Sequence, residues 1–161
     1  MQSEFVSNTT PILNFLKLKR LDILKEVLGT LIIPNGVFQE IESGKSKVFY
    51  DNLKNYPWIE IIELKEKSFL DLLIELDRGE AETIALAKEL NIDKVIIDEK
   101  LGRRYAEEFG LIPIGTLGIL LKAKEIGVIE KIKPFLVILE KNNTWLDDKI
   151  KLYAFSKAKE I

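Results

Sequence analysis

Gly79-Glu80-Ala81-Glu82-Thr83-Ile84-Ala85-Leu86-Ala87-Lys88-Glu89-Leu90, and shortly after it Lys94-Val95-Ile96-Ile97-Asp98, form the stretch whose reading decides the fold. The first part predicts a helix with a small-residue face. The second predicts a nearly all-apolar strand that stops on an acid. A strand this apolar is covered on both faces, as in a parallel sheet. From Glu80 to Leu90 a helix climbs about 15 Å, and from Lys94 to Asp98 a strand returns about 13 Å. If the two pack antiparallel, the carboxylates of Glu80 and Asp98 finish at the same edge.

Working outward, the same alternation continues in both directions. Phe5-Val6-Ser7 predicts a strand, stopped by Asn8-Thr9-Thr10-Pro11, where proline suits the first turn of a helix. Ile12, Leu13, Phe15, Leu16 and Leu18 follow at helical spacing, and Leu21, Leu24 and Leu28 continue it to Gly29. Thr30 to Ile33 predicts a strand, Val37 to Ile41 a short helix ending near Gly44, Trp58 to Leu64 a strand, and Phe69 to Leu76 a helix. Beyond Asp98, Leu101 to Phe109 predicts a helix, Leu111 to Ile114 a strand, and Thr116 to Ile126 a helix between Gly115 and Gly127. Strands alternating with helices predict an α/β domain in three layers, a parallel central sheet flanked by helices. Residues 128–161 predict further helices, so the expectation is one domain over 1–161 with 128–161 as a helical C-terminal extension.

Composition narrows the chemistry. A chain of 161 residues with 47% hydrophobic content can bury a substantial core. Its 24 basic and 26 acidic residues balance, so any nucleic-acid contact must come from a local patch. There is no His and no Cys. That excludes Ser/His/Asp triads, cysteine nucleophiles, imidazole bases, zinc fingers and disulfides. Carboxylates, amides and hydroxyls remain, and they suit hard, oxygen-loving cations or carboxylate acid/base chemistry. No basic N-terminal region precedes an apolar run, and no segment approaches the roughly 18 to 20 apolar residues of a membrane span. The expected location is the cytoplasm.

In an open α/β sheet, ligands bind beyond the carboxyl ends of the strands. Glu80, Asp98 and Asn8, which ends the first strand, belong to that edge; Glu40 follows the second strand on its short helix. Each also has a plainer reading. Asp98 can cap the helix after it, and Asn8 can stabilise the turn before Pro11. Glu80 can complement a helix dipole, while Glu40, Glu82 and Glu99 can be solvated charges, the preferred reading for Glu82 and Glu99.

These positions resemble the motifs of PIN-domain proteins, particularly the VapC-like toxins and a related uncharacterised prokaryotic group. Val6-Ser7-Asn8-Thr9-Thr10-Pro11-Ile12-Leu13 is similar to the opening motif, Glu40-Ile41-Glu42-Ser43-Gly44 to the second, Glu80 with Ala85 and Ala87 to the third, and Val95-Ile96-Ile97-Asp98 to the fourth. Gly115 to Lys124 resembles a segment typical of the uncharacterised group. The resemblance implies a PIN fold and cleavage of RNA dependent on Mg²⁺ or Mn²⁺, an endoribonuclease activity. Asp98, Glu80 and Glu40 would hold the metal, with Asn8 completing its shell or orienting a water. Thr10 would hydrogen-bond a ligand or phosphate, and Lys100, Arg103 and Arg104 would meet substrate phosphates. It also implies a toxin paired with a small antitoxin, and a homodimer. Asn8 departs from the pattern, because many relatives carry an acid there. The alternative is therefore a weakened PIN domain that acts by binding RNA or protein. A generic nucleotide-binding domain ranks low, since no Gly-rich phosphate loop follows any strand.

Overall fold

The computed structural model describes residues 4–144 and 146–161. Its strands are β1 (Glu4–Ser7), β2 (Thr30–Pro34), β3 (Ile59–Ile62), β4 (Lys94–Ile96) and β5 (Ile112–Ile114). All pair in parallel, in the order β3-β2-β1-β4-β5. The chain steps outward from β1 to β2 and β3, then crosses back to lay β4 on the other side of β1. Strand order reverses between β1 and β4, where Val6 lies opposite Val95 and Ser7 opposite Ile96. Such a reversal opens a crevice at the carboxyl ends of the two strands.

Helices α1 (Thr9–Lys17) and α2 (Asp22–Leu28) connect β1 to β2, and α3 (Asn35–Glu42) follows β2. Helix α4 (Arg78–Glu89) precedes β4, α5 (Lys100–Glu108) links β4 to β5, and α6 (Thr116–Glu125) follows β5. Because side chains alternate along a strand, each strand feeds two cores. Leu31, Ile33 and Ile96 pack with residues of α1, α2, α3 and α6; Val6, Ile32, Val95 and Ile97 pack with Ala81, Ile84 and Ala85 of α4 and Ala106 of α5. The result is the expected three-layer α/β arrangement. Pro113 sits in β5, an edge strand, where a missing N–H is tolerated.

One element differs from expectation. In place of a helix over Phe69 to Leu76, Lys67–Leu73 forms a 3-10 segment. Leu73 is fully buried but Leu72 and Ile74 are 62% and 81% exposed, so no continuous apolar stripe exists to hold an α-helix on the core. The chain must also turn in time for Asp77 to cap α4, where its Oδ1 accepts the Glu80 N–H at 2.8 Å.

The C-terminal segment supplies α7 (Lys133–Lys141) and α8 (Asp148–Ala158), which bury Leu136, Leu139, Ala154 and Ala158 in the larger core. Glu160 ties it down: its carboxylate accepts the N–H groups of Ile132 at 2.8 Å and Lys133 at 3.1 Å and pairs with Lys124 Nζ at 3.0 Å. Burial pushes its pKa up, but the Ile132 N–H, Lys124 and the Lys133 N–H together hold it below the ordinary 4.5. A depressed carboxyl pKa contributes stability above that ordinary value and loses it as pH falls through the folded one. Glu160→Gln is therefore expected to cost about 2 kcal/mol at neutral pH, read by denaturant unfolding. The gap to wild type should narrow as pH drops below 4.5.

Candidate functional site

The carboxyl edge collects its polar groups in two clusters. Asn8 follows β1 at the N-cap position of α1, a place where an amide ordinarily caps the helix, yet its side chain makes no capping bond. Its Oδ1 is buried and accepts no hydrogen bond. Its backbone N–H donates to the Ile96 carbonyl at 3.0 Å, which locks residue 8 to the end of β4. Neighbouring Thr9 donates its hydroxyl to Glu40 Oε2 at 2.8 Å. These groups close around Gly79. A Cβ there would lie 2.7 Å from Asn8 Oδ1 and 3.2 Å from Glu40 Oε2.

The second cluster is built on Asp98. Its Oδ1 accepts the Thr116 N–H at 2.6 Å, and its Oδ2 accepts the Thr116 hydroxyl at 2.7 Å and Asn14 Nδ2 at 3.1 Å. Asn14 also reaches the Thr116 hydroxyl at 3.1 Å, and its Oδ1 accepts from Thr144 at 3.2 Å. Asp98 thus grips the first turn of α6 rather than capping α5, whose N-cap is Glu99.

Glu80 stands on the path between the clusters. It follows Gly79 in α4, and its Oε2 lies against Ile97 and Gly102, where a Cβ would come within 2.6 Å of it. Glu80 is only 5% exposed, and that oxygen has no hydrogen-bond partner. Burial above all, then the neighbouring Asp77 and more weakly Glu99, pushes its pKa up to about 7.

Glu82 overturns the expectation of a solvated charge. It is buried, its Oε2 rests against Gly36 without a hydrogen bond, and Arg78 Nε approaches no closer than 3.7 Å. The reason is that α4 is covered on both sides, so every residue from Gly79 to Ala87 is buried. Glu99 is exposed, as expected. Thr10 is half-buried and makes no side-chain hydrogen bond among the described residues; it is Thr9 that contacts Glu40. Of the α5 cations, Arg103 reaches this edge, with Nη1 donating to the Ile97 carbonyl at 3.3 Å beside Asp98. Arg104 pairs outward with Glu108 at 3.9 Å, and Lys100 is exposed and makes no ion pair among the described residues. Sequence reasoning passed over Thr9, Asn14 and Thr116. The one signal for Asn14 was a polar residue amid the apolar face Ile12, Phe15 and Leu16.

Among the described residues, no three acidic side chains come together as a closed ligand set. The donors nevertheless fit a hard cation. All are oxygens, and Asn8 Oδ1 and Glu80 Oε2 are buried and unpartnered, a condition that ordinarily costs about 1 to 3 kcal/mol per group. Fold and site together define an α/β domain with an oxygen-only acidic site at the switch point of its sheet. A family model described as a PIN domain matches residues 4–160, and the chain belongs to that family. No curated protein and no solved structure matches it. The PIN domain is a nuclease-type fold, its members generally bind divalent metals, and the family points to nucleic acid as substrate. No helix among the described residues is long and apolar enough to cross a membrane.

The raised pKa of Glu80 has a sign that can be checked. A carboxyl that holds its proton more tightly when folded contributes most below 4.5, and that contribution disappears as pH rises to about 7. Glu80→Gln, which mimics the neutral acid, is expected to melt higher than wild type in chelator at pH 8. The advantage should vanish near pH 4.

Proposed function

We propose that the chain is a divalent-metal-dependent ribonuclease of the PIN type, acting as one domain, with Asp98, Glu80, Glu40 and Asn8 holding Mg²⁺ or Mn²⁺. The observation that carries this reading is the pair of buried, unpartnered oxygens, Asn8 Oδ1 and Glu80 Oε2, beside the β1/β4 switch point of a PIN-family chain. When bound, the metal supplies Lewis-acid polarisation of the phosphodiester and makes a water easier to deprotonate. The chain's own groups orient the site. Thr9 fixes Glu40, while Asn14 and Thr116 fix Asp98, so neither carboxylate has to be ordered when substrate arrives. Arg103 at the edge offers charge for substrate phosphates, exposed Lys100 and, once released from Glu108, Arg104 can add to it from the same helix, and Thr10 offers a hydroxyl. By family resemblance the role is the toxin of a cytoplasmic toxin-antitoxin pair, a homodimer restrained by a small antitoxin.

A second reading has its own support. Asn8 is neutral, and both oxygens of Asp98 are already engaged by protein donors, as in a domain that binds RNA or protein without turning it over. Turnover separates the two. Purified protein is expected to degrade single-stranded RNA with Mn²⁺ or Mg²⁺, to stop in chelator and to lose activity on Asp98→Asn; Mn²⁺ should raise the melting temperature of wild type but not of that variant. Activity that survives both chelator and Asp98→Asn would belong to a contaminant and sink the nuclease reading.

The contribution of residue 8 is tested by Asn8→Asp. A unit charge at about 4 Å from a cation, at an effective dielectric near 20, interacts by roughly 4 kcal/mol before desolvation. A third of that is about tenfold in affinity. Asn8→Asp is expected to tighten calorimetric Mn²⁺ binding by about tenfold, while lowering the melting temperature in chelator through repulsion with Glu40. If neither changes, residue 8 lies outside the metal site.

A further inference from the structure

The acidic edge does not end at Glu40. A cavity of about 310 Å³ is lined by Thr9 and Glu40 on one side and by Lys47, Phe49 and Tyr50 on the other. A second, of about 480 Å³, shares Leu16, Phe49 and Tyr50 with the first and extends to Lys19, Lys25 and Trp58. Because the two adjoin at these shared residues, we take them as one groove that begins at Thr9 and Glu40 and runs between the α1–α2 turn and the loop after α3.

Its charges are not equally available. Asp22 is held by Arg20 through two hydrogen bonds of 3.0 and 3.1 Å, and Asp51 accepts the Tyr56 hydroxyl. Lys19, Lys25 and Lys47 are exposed and form no ion pair among the described residues. Glu40 and Asp51 keep their charge, since only neutral donors bond to them, so against Lys19, Lys25 and Lys47 the lining carries a small positive excess, concentrated at the end away from Glu40, in a chain whose formal net charge is −2. The rings are held in place. The Tyr50 hydroxyl donates to Glu42, and Tyr56 meets Trp58 edge-on at 5.8 Å. Free cations beside fixed, half-buried aromatic rings suit a polyanion whose bases are unpaired, because every base offers a face to stack and every phosphate a charge to match.

We propose that this groove is the path of a single-stranded RNA segment entering the site, with bases stacking on Phe49, Tyr50 and Trp58 and phosphates meeting Lys19, Lys25 and Lys47. The choice of RNA rests on the ribonuclease reading; the choice of a single strand rests on the rings. A duplex keeps its bases stacked inside and has none to give.

The test measures binding without cleavage, on the full chain carrying Asp98→Asn, in chelator, by fluorescence anisotropy with a labelled oligoadenylate of about 12 nucleotides. Saturable binding is expected, and at least about tenfold weaker binding to the matching duplex. Combined Lys19→Gln, Lys25→Gln and Lys47→Gln should weaken binding about tenfold or more and lower the slope of log affinity against log salt by about 2. Phe49→Leu should weaken it several-fold while leaving that slope unchanged. Unchanged melting temperatures would show that these variants fold. Equal binding by parent and triple variant, or equal binding of duplex and single strand, would overturn the proposal. So would displacement of the RNA by oligoglutamate of the same length at similar concentration, which would assign the groove to an acidic polypeptide. Because no metal or turnover is involved, a chain that binds as described but never cleaves would refute the nuclease reading alone. A chain that cleaves normally with the triple variant unchanged in KM would refute the groove alone.

Discussion

The acidic edge depends on how closely α4 approaches its neighbours. At Gly36, Gly79 and Gly102 an added Cβ would press on a carboxylate or amide oxygen: Glu82 at the first, Asn8 and Glu40 at the second, Glu80 at the third. Gly36 opens α3, Gly79 opens α4 and Gly102 lies in the first turn of α5. Glycine weakens a helix interior by about 1 kcal/mol relative to alanine, so a first turn is where close approach is cheapest. The small residues of α4, Ala81, Ala85 and Ala87, are buried on more than one side of the helix and continue the same close fit. Larger side chains at these points would push the oxygens apart and dissolve the site before they disturbed the core.

Closeness brings an electrostatic difficulty, since it gathers Glu40, Glu80, Glu82 and Asp98 at one end of the molecule. The parallel topology supplies part of the answer. Helices α1, α3, α5 and α6 each follow a strand, and α4 runs antiparallel to β4, so all of them start at this edge. A helix start carries partial positive charge and unpaired N–H groups, worth about 0.3 to 1 kcal/mol to a nearby anion. Asp98 takes the Thr116 N–H of α6 directly. Glu82 lies against the start of α3, which has no side-chain cap and no acid in its first turn. Glu80, without such a donor on Oε2, has its pKa pushed up to about 7, chiefly by burial. The edge is thus compatible with a folded, cation-free chain, and each acid solves its burial differently.

What the sequence disclosed and what it hid follow from the same physics. Helix and strand lengths are additive, so residues 80 and 98 could be brought to one edge by arithmetic, and apolar periodicity located every strand to within a few residues. Glu82 was hidden because its burial comes from α3 packing across α4, a contact between elements distant in sequence. Thr9 and Thr10 are indistinguishable as letters; only the rotation of α1 decides that Thr9 faces Glu40. Asn14 and Thr116 were hidden for a related reason. Their partner, Asp98, is 84 residues from Asn14, and no local pattern encodes a bond of that span. The segment at 67–73 is 3-10 and not α-helical because Phe69, Leu72, Leu73 and Leu76 have helical spacing but not helical burial.

The neutral residue at position 8 fits this balance. Asn8 and Glu40 meet the same point beside Gly79, so an acid at position 8 would set two carboxylates side by side. The amide keeps an oxygen aimed into the site and removes the repulsion. On the ribonuclease reading it also changes what the substrate meets. Three carboxylates already exceed the charge of one divalent ion, and a fourth would add to the field opposing a phosphodiester. An oxygen donor without charge therefore lowers metal affinity but eases the approach of a polyanion, and these two effects act on rate in opposite directions. Asn8 is then a shift in the balance between holding the cation and admitting the substrate, and its presence alone does not mark the site as dead.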